Sequence, residues 1–214
     1  MSGNLYGVLI GDILSSSATP HLRGVLAERL RALSRAHLSR KLIRLPYAVT
    51  AGDEFQTIIT NVAQIPRLIF DLRVGHRPLT LWIGIGIGQI TGPLRPPVNR
   101  ISGQAFEFAR EAIESIKRRK EHEFLALTAF RTMSKDFNTI ARSVYGLHDT
   151  LVQQVSDKQW KTIQAMLQKR SVHLAARALS RARSTASRSL QRGYYWQIIE
   201  TVSNMEALIR AYFG

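Results

Sequence analysis

The spacing of apolar positions changes character along the chain. Leu5 to Ile10 is a short apolar run closed by Gly11-Asp12, the form of a buried strand. Pro20 at a first turn then opens a helix from about His21 to His37, whose Val25, Leu26, Leu30 and Leu33 form one apolar face. Tyr47 to Ala51 and Phe55 to Thr60 read as two strands joined at Gly52-Asp53, a tight hairpin. Asn61 caps a helix running towards Arg73, with Pro66 in its first turn or marking a later start. Within Leu79 to Ile90, isoleucine and glycine alternate through Ile83-Gly84-Ile85-Gly86-Ile87-Gly88, which predicts a strand with one bulky face and one bare face that something approaches closely. A helix from Ser102 or Gly103 to about Arg118 turns Phe106, Ala109, Ile113 and Ile116 inward, and Glu123 to Leu127 is the expected last strand.

The order βαββαβαβ predicts an α+β fold, a mixed sheet with helices packed on it in a split βαβ, ferredoxin-like arrangement over residues 1–133. Residues 134–150 are less periodic and read as a connector. From there to residue 214 the pattern is helical throughout, an all-α second domain. Ser156-Asp157-Lys158-Gln159 has the capping-box form, and Trp160, Ile163 and Leu167 share one face of the helix it starts. A second helix, Val172 to Leu179, carries Leu174, Ala175, Ala178 and Leu179; after a polar break at 180–184, helical spacing resumes over Thr185 to Leu190. This layout is that of a helix-turn-helix. The apolar stripe Tyr194, Tyr195, Trp196, Ile198, Ile199, Val202, Met205, Leu208, Ile209 and Tyr212 needs cover, and helical spacing favours ordinary core over an aromatic platform for nucleic acid.

Charge sharpens this picture. The chain carries a formal +15 with a pI near 11.0, so polyanions are its natural partners. Residues 151–192 contain 9 Lys or Arg against the single acid Asp157. Arg181, Arg183, Ser184, Thr185, Ser187, Arg188 and Arg192 cluster about the start and exposed length of the expected recognition helix and are the side chains assigned to DNA. A basic hairpin whose arginines only solvate one face is the alternative. No cysteine is present, which removes disulfides and thiolate metal sites. The first residues lack the cationic segment of a signal peptide, and no run approaches the roughly 18 apolar residues of a membrane span. A cytoplasmic protein without a membrane partner is expected, and a homodimer would suit a two-fold DNA site.

Candidate chemistry lies in the first domain. Asp12 closes the first strand and Asp53 sits at the hairpin, so neighbouring strands would bring two carboxylates to one sheet edge. Paired hard oxygen donors suit a divalent cation that also carries nucleotide phosphates. Capping for Asp12 and a turn role for Asp53 are the structural alternatives. The six histidines show no zinc-type spacing, and the Gly84 to Gly88 run is not a dinucleotide fingerprint. Lys117-Arg118-Arg119-Lys120 reads as a charge run pairing with a helix dipole and solvent.

Four blocks together, Ile10-Gly11-Asp12-Ile13, Ala51-Gly52-Asp53-Glu54-Phe55-Gln56, Gly84 to Gly88 and Gly103 to Ala112, resemble the SatD family over nearly the whole chain. More distantly they are similar to the palm-type catalytic domain of class III nucleotide cyclases and diguanylate cyclases. The resemblance implies a nucleotide-cyclase-like first domain with Asp12, Asp53 and Glu54 toward Mg²⁺ or Mn²⁺. It places nucleotide phosphates along Ile13, Leu14, Ser15 and Ser16, with Gly52, Gly84 and Gly86 beside them. Cyclases carry an asparagine and an arginine on the helix after the glycine-rich strand. Here Glu107 and Glu111 fall at those positions, Arg110 is out of step, Trp82 replaces an arginine before the strand, and Ala51 replaces a hairpin glycine. Binding without turnover is therefore expected. The stretch from Leu174 to Leu190 resembles bacterial helix-turn-helix regulators, although Ser180 stands where glycine is usual and Arg181 where an apolar plug is usual. The leading expectation is a DNA-binding transcription regulator with a nucleotide-binding first domain. A metal-dependent nucleotidyl cyclase or other phosphoryl-transfer enzyme is the rival, and an RNA- or ribosome-associated adaptor the third reading.

Overall fold

The structure is a computed structural model that describes residues 4–14, 20–118 and 126–214. Five strands, β1 (Tyr6–Ile13), β2 (Ala48–Ala51), β3 (Glu54–Ile59), β4 (Leu81–Gly88) and β5 (Thr128–Arg131), form one mixed sheet in the order β2-β3-β1-β4-β5. β1 runs antiparallel to both β3 and β4, whereas β4 and β5 are parallel. Helices α1 (Pro20–Ser39), α2 (Ile65–His76), α3 (Gln104–Lys117), α4 (Lys135–Gln154), α5 (Asp157–Lys169), α6 (Val172–Ala178), α7 (Arg183–Arg192) and α8 (Tyr195–Phe213) complete the chain. The expected α+β class with a mixed sheet is what the chain adopts.

Strand alternation divides the core into two layers. On one face Leu9, Ile13, Phe55, Ile83, Ile85 and Ile87 pack with Leu26 and Leu30 of α1, Leu68 and Leu72 of α2, and Phe137, Ala141 and Tyr145 of α4. On the other, Val8, Ile10 and Ile58 meet Ala105, Ala109 and Ile113 of α3. The bare face of β4 is where that helix lies. A Cβ added at Gly86 would fall 2.1 Å from the Ala105 carbonyl oxygen and 2.4 Å from the Ala109 nitrogen, and one at Gly84 would fall 2.5 Å from the Ile113 nitrogen. These contacts are backbone, which cannot swing aside. Gly86→Ala is expected to destabilise by about 1–3 kcal/mol through overpacking. Gly24→Ala, at an open position in α1 with nothing within 4 Å, should stabilise by about 1 kcal/mol instead. Urea midpoints of the two variants against the parent check both signs.

Three sequence expectations shift. Glu123–Leu127 does not form the described edge strand, which is Thr128–Arg131; residues 123–125 lie outside the described residues. Thr128 and Phe130 face inward there, and the parallel register to Ile83–Gly86 fixes the phase. The helix expected from Asn61 begins as a single 3₁₀ turn, Val62–Gln64, with α2 proper starting at Ile65 and Pro66 in its first turn. Residues 134–150 are not an irregular connector. Most of that segment is α4, capped by Ser134, whose hydroxyl accepts from the Phe137 N–H at 3.2 Å.

The inward face of α4 carries ionic groups as well as apolar ones. Arg73 of α2 reaches Asp149 at 3.0 Å and donates to the Thr128 hydroxyl at 2.5 Å, while the Leu127 N–H donates to Asp149 at 2.8 Å. His148 Nδ1 lies 3.2 Å from Asp149. This network ties α2, β5 and α4 together.

α8 has the cover its stripe demands. Ile198 and Val202 pack with Phe70, Val152 and Trp160, while Met205 and Ile209 join the main sheet core. Trp196 and Tyr212, counted in the stripe by spacing, are exposed, and the Tyr212 ring still lies 5.5 Å from that of Phe137. No helix is long and apolar enough to cross a membrane among the described residues.

Candidate functional site

β1 and the β2–β3 hairpin set the acidic pair. Phe55 lies opposite Gly11, which puts Glu54, the first residue of β3, level with Asp12 and Asp53 in the turn just beyond. Gly11 permits this register: a Cβ there would fall 2.2 Å from the Phe55 ring. The hairpin turns at Gly52, whose φ of +64° is the left-handed conformation that glycine adopts freely.

Asp12 and Asp53 do converge. The Ile13 N–H donates to Asp12 Oδ1 at 2.9 Å and faces Asp53 Oδ2 at 3.3 Å, so one backbone donor serves two carboxylates. Burial and the hydrogen bond with Asp53 push the Asp12 carboxyl above its ordinary value, against the opposing pull of Lys117. Crowded carboxylates of this kind are relieved by a shared proton or by a nearby cation.

That cation comes from α3. Lys117 Nζ donates to Asp12 Oδ2, and the ammonium sits 5.7 Å from the centre of the Trp82 ring. Seven residues earlier on the same helix, Arg110 grips Glu54 through two bonds of 2.5 and 2.8 Å. The Thr50 hydroxyl donates to the same carboxylate at 3.1 Å. Arg110 thus holds Glu54 below the usual carboxylate range against the opposing effect of burial. Glu54, expected beside the metal, is turned into an ion pair with the helix.

Sequence reading missed Lys117 and Arg110. Their seven-residue spacing, two helical turns, was the available signal, and it places both on one stripe of α3. The charge run at the helix end predicts a Lys117 paired with the helix dipole and solvent; it is instead half-buried on Asp12. Arg110 is out of step with the cyclase pattern but in step with Glu54.

The remaining assigned residues divide plainly. Gly84 and Gly86 are covered by α3, so their bare face accommodates the helix backbone rather than a nucleotide. Ile13 contributes its backbone N–H at the site while its side chain is buried. The Leu14 N–H is taken by the Thr80 carbonyl at 2.9 Å. Ser15 and Ser16 lie outside the described residues.

Oxygen donors in a pair fit Mg²⁺ or Mn²⁺ in chemical type. No group of three or more His, Cys, Asp or Glu that could hold a metal occurs among the described residues. With Glu54 engaged by Arg110, the carboxylates at this edge are Asp12, itself paired with Lys117, and Asp53. Such a set suits a metal that arrives with phosphate and water completing its shell.

The second cationic surface is on α7. Arg181, Arg183, Ser184, Thr185, Ser187, Arg188 and Arg192 are all exposed, while Ala186 and Leu190 are buried on the opposite side. The preceding turn passes through Ser180 with φ +52°, the left-handed conformation usually given to glycine, and the Arg181 N–H closes it on the Ala176 carbonyl at 2.9 Å. Buried Ala175 and Ala176 contribute little side-chain bulk to the α6–α7 packing. The Ser189 hydroxyl donates to Thr162 Oγ1 at 3.0 Å, fixing α7 to α5. The expected capping box is present: the Ser156 N–H donates to the Gln159 side chain at 2.7 Å and the Gln159 N–H returns to Ser156 Oγ at 3.4 Å. Between α5 and α7 lies a hollow of about 280 Å³ bordered by Gln159, Arg181, Thr185, Arg188, Ser189 and Arg192.

The SatD family model matches residues 6–187, taking in the acidic pair, α3 and the first half of α7. The chain belongs to the SatD family. No curated protein matches it. Among solved structures, a regulator of polyketide synthase expression from Bifidobacterium adolescentis aligns over 96% of this chain and 86% of that one, at 14% identity and a TM-score of 0.28. That likeness is too slight to carry an argument about fold or function. For this SatD-family chain, the functional reading therefore rests on its two charged surfaces.

Proposed function

We propose that this SatD-family chain is a cytoplasmic DNA-binding regulator of transcription. In this reading α6 and α7 act as a helix-turn-helix, and the cyclase-like palm face at Asp12 and Asp53 binds a nucleotide, with Mg²⁺ or Mn²⁺, without turning it over. The observation that carries it is the face of α7. Arg183, Ser184, Thr185, Ser187, Arg188 and Arg192 are exposed as one set, while Ala186 and Leu190 anchor the helix from behind. Arginine can reach phosphates or guanine edges, and serine and threonine hydroxyls can bond to either backbone or base, so such a face suits the major groove. The left-handed Ser180 supports a tight turn before α7 despite the absent glycine. A two-fold operator would call for a homodimer.

In the first domain, the chain's own residues support binding more than chemistry. Ile13 N–H and Lys117 orient Asp12, while Arg110 withdraws Glu54 from a third ligand position. A bound divalent cation would neutralise nucleotide phosphates held there. Turnover also needs groups that stabilise charge developing on the transferred phosphoryl, and Arg110 is already paired. Convergence of the two aspartates is the one observation favouring the rival, a phosphoryl-transfer enzyme.

A thermal-shift panel of nucleoside mono-, di- and triphosphates with and without Mg²⁺ tests the site. Ligand at about 100 times its Kd should stabilise the fold by about 2.7 kcal/mol. Asp53→Asn is expected to abolish that gain. Phosphate or cyclic product appearing from a triphosphate, and lost in Asp53→Asn, would establish the enzyme instead. Duplex DNA titrated at rising salt tests the other half: affinity must fall steeply if phosphates are being neutralised.

A further inference from the structure

The most tightly organised part of the acidic site is the cation already in it. Lys117 leaves the last turn of α3, lies over the Trp82 ring at 5.7 Å and ends on Asp12 Oδ2, while Asp12 Oδ1 is held by the Ile13 N–H and Asp53 stands alongside. α3 itself is fixed by backbone contact with the glycines of β4 and by the Arg110–Glu54 clamp, so the lysine arrives from a rigid support. Its ammonium and a divalent ion would neutralise the same oxygen.

We propose that Lys117 is the specificity-determining residue of the Asp12–Asp53 site, a tethered ammonium that serves as its resident counter-ion and that a divalent cation must displace. The proposal rests on the reading of this pair as a metal site, and adds the regulation of that site. Displacement has a defined consequence. Freed from Asp12, Lys117 also leaves the Trp82 ring, and the last turn of α3 loses a tie to β1. A cation accompanied by phosphate does this more readily than a bare one, because the departing ammonium can then pair with phosphate oxygen. Lys117 thus biases the site against free metal and towards a metal–phosphate complex.

Mn²⁺ binding by the full chain, followed by electron paramagnetic resonance, tests this directly. Removing one positive charge a few ångströms from the incoming ion should tighten Mn²⁺ binding about tenfold in Lys117→Met, while Lys117→Arg keeps the parent affinity. Asp53→Asn, in either background, should weaken it. The second readout is Trp82 emission: Mg²⁺ should alter it in the parent, and the change should vanish in Trp82→Phe and in Lys117→Met. Equal Mn²⁺ affinity in the parent and Lys117→Met, both still dependent on Asp53, overturns the role of Lys117 and leaves the metal site standing. Absence of Asp53-dependent binding in every variant removes the metal reading and this proposal together. Far-UV circular dichroism and the melting temperature verify that each variant is folded.

Discussion

Asp149→Ala is expected to destabilise the fold by about 3–5 kcal/mol, because it leaves a buried guanidinium without its counter-ion. Arg73 is 4% exposed and Asp149 fully buried, so neither charge can turn to water when the other is lost. The same change strips the Leu127 N–H of its acceptor at the entrance to β5. Arg73→Met combined with Asp149→Leu should recover much of the loss, since removing both charges removes the desolvation penalty as well. Guanidinium denaturation of the single and double variants checks the ordering. A single variant within about 0.5 kcal/mol of the parent would show that the pair does not stabilise the fold.

The network also predicts a pH response. Burial pulls the Asp149 carboxyl upward, but the Arg73 charge, His148 and the Leu127 N–H outweigh it and hold the group below its ordinary value. A carboxyl lowered in the folded state stabilises the protein above its unfolded pKa of about 3.9, and the gain disappears as pH falls through the folded value. Acid unfolding should therefore loosen the α2–β5–α4 junction. The double apolar variant should show a smaller drop below pH 4.

Replacing Arg183 and Arg188 together by alanine is expected to weaken duplex binding by about ten- to a hundredfold at moderate salt. If both contact phosphate, it should flatten the log–log salt slope by nearly two. The substitutions leave the helix intact, since its anchors Ala186 and Leu190 face the other way and alanine favours helix. A variant that loses affinity for one sequence while keeping the slope would instead place these arginines on bases. Unaltered affinity and slope would reject α7 as the reading helix. Fluorescence anisotropy on a labelled duplex, repeated at several salt concentrations, separates the three outcomes.

Much of the fold was written in local pattern. The alternation Ile83 to Gly88 predicted both a strand and a close neighbour on its bare side, and α3 is that neighbour. Ser156 and Gln159 predicted the start of α5, and the inward residues of α8 followed from helical spacing. α4 was missed for a physical reason. His148 and Asp149 occupy inward positions that helical periodicity fills with apolar residues, and burial of an ion pair depends on Arg73, 76 residues away in the chain. The last strand was displaced by a few residues because the Leu-Ala-Leu run before it carries the same apolar signal, and only pairing with β4 selects the phase.

The candidate site shows the same division. Strand ends bearing Asp12 and Asp53 were legible, and so was their meeting if the strands were neighbours. Glu54 pairs with Arg110 and Asp12 with Lys117; the seven-residue spacing puts both cations on one stripe of α3, but which acid each one meets is set across elements and not by local spacing.

Most strands and helices, their apolar faces, the strong positive charge and the placing of one acid at the end of β1 and another at the hairpin are legible in the chain alone. Those are properties of neighbours within a few residues, enforced by backbone geometry and by the cost of exposing apolar surface. Which charges meet is fixed by the folded arrangement: Lys117 with Asp12, Arg110 with Glu54, Arg73 with Asp149. Ion pairing acts through a few ångströms of space and is indifferent to distance along the chain, so it is fixed only once the sheet order and the seating of α3 and α4 have brought the partners together.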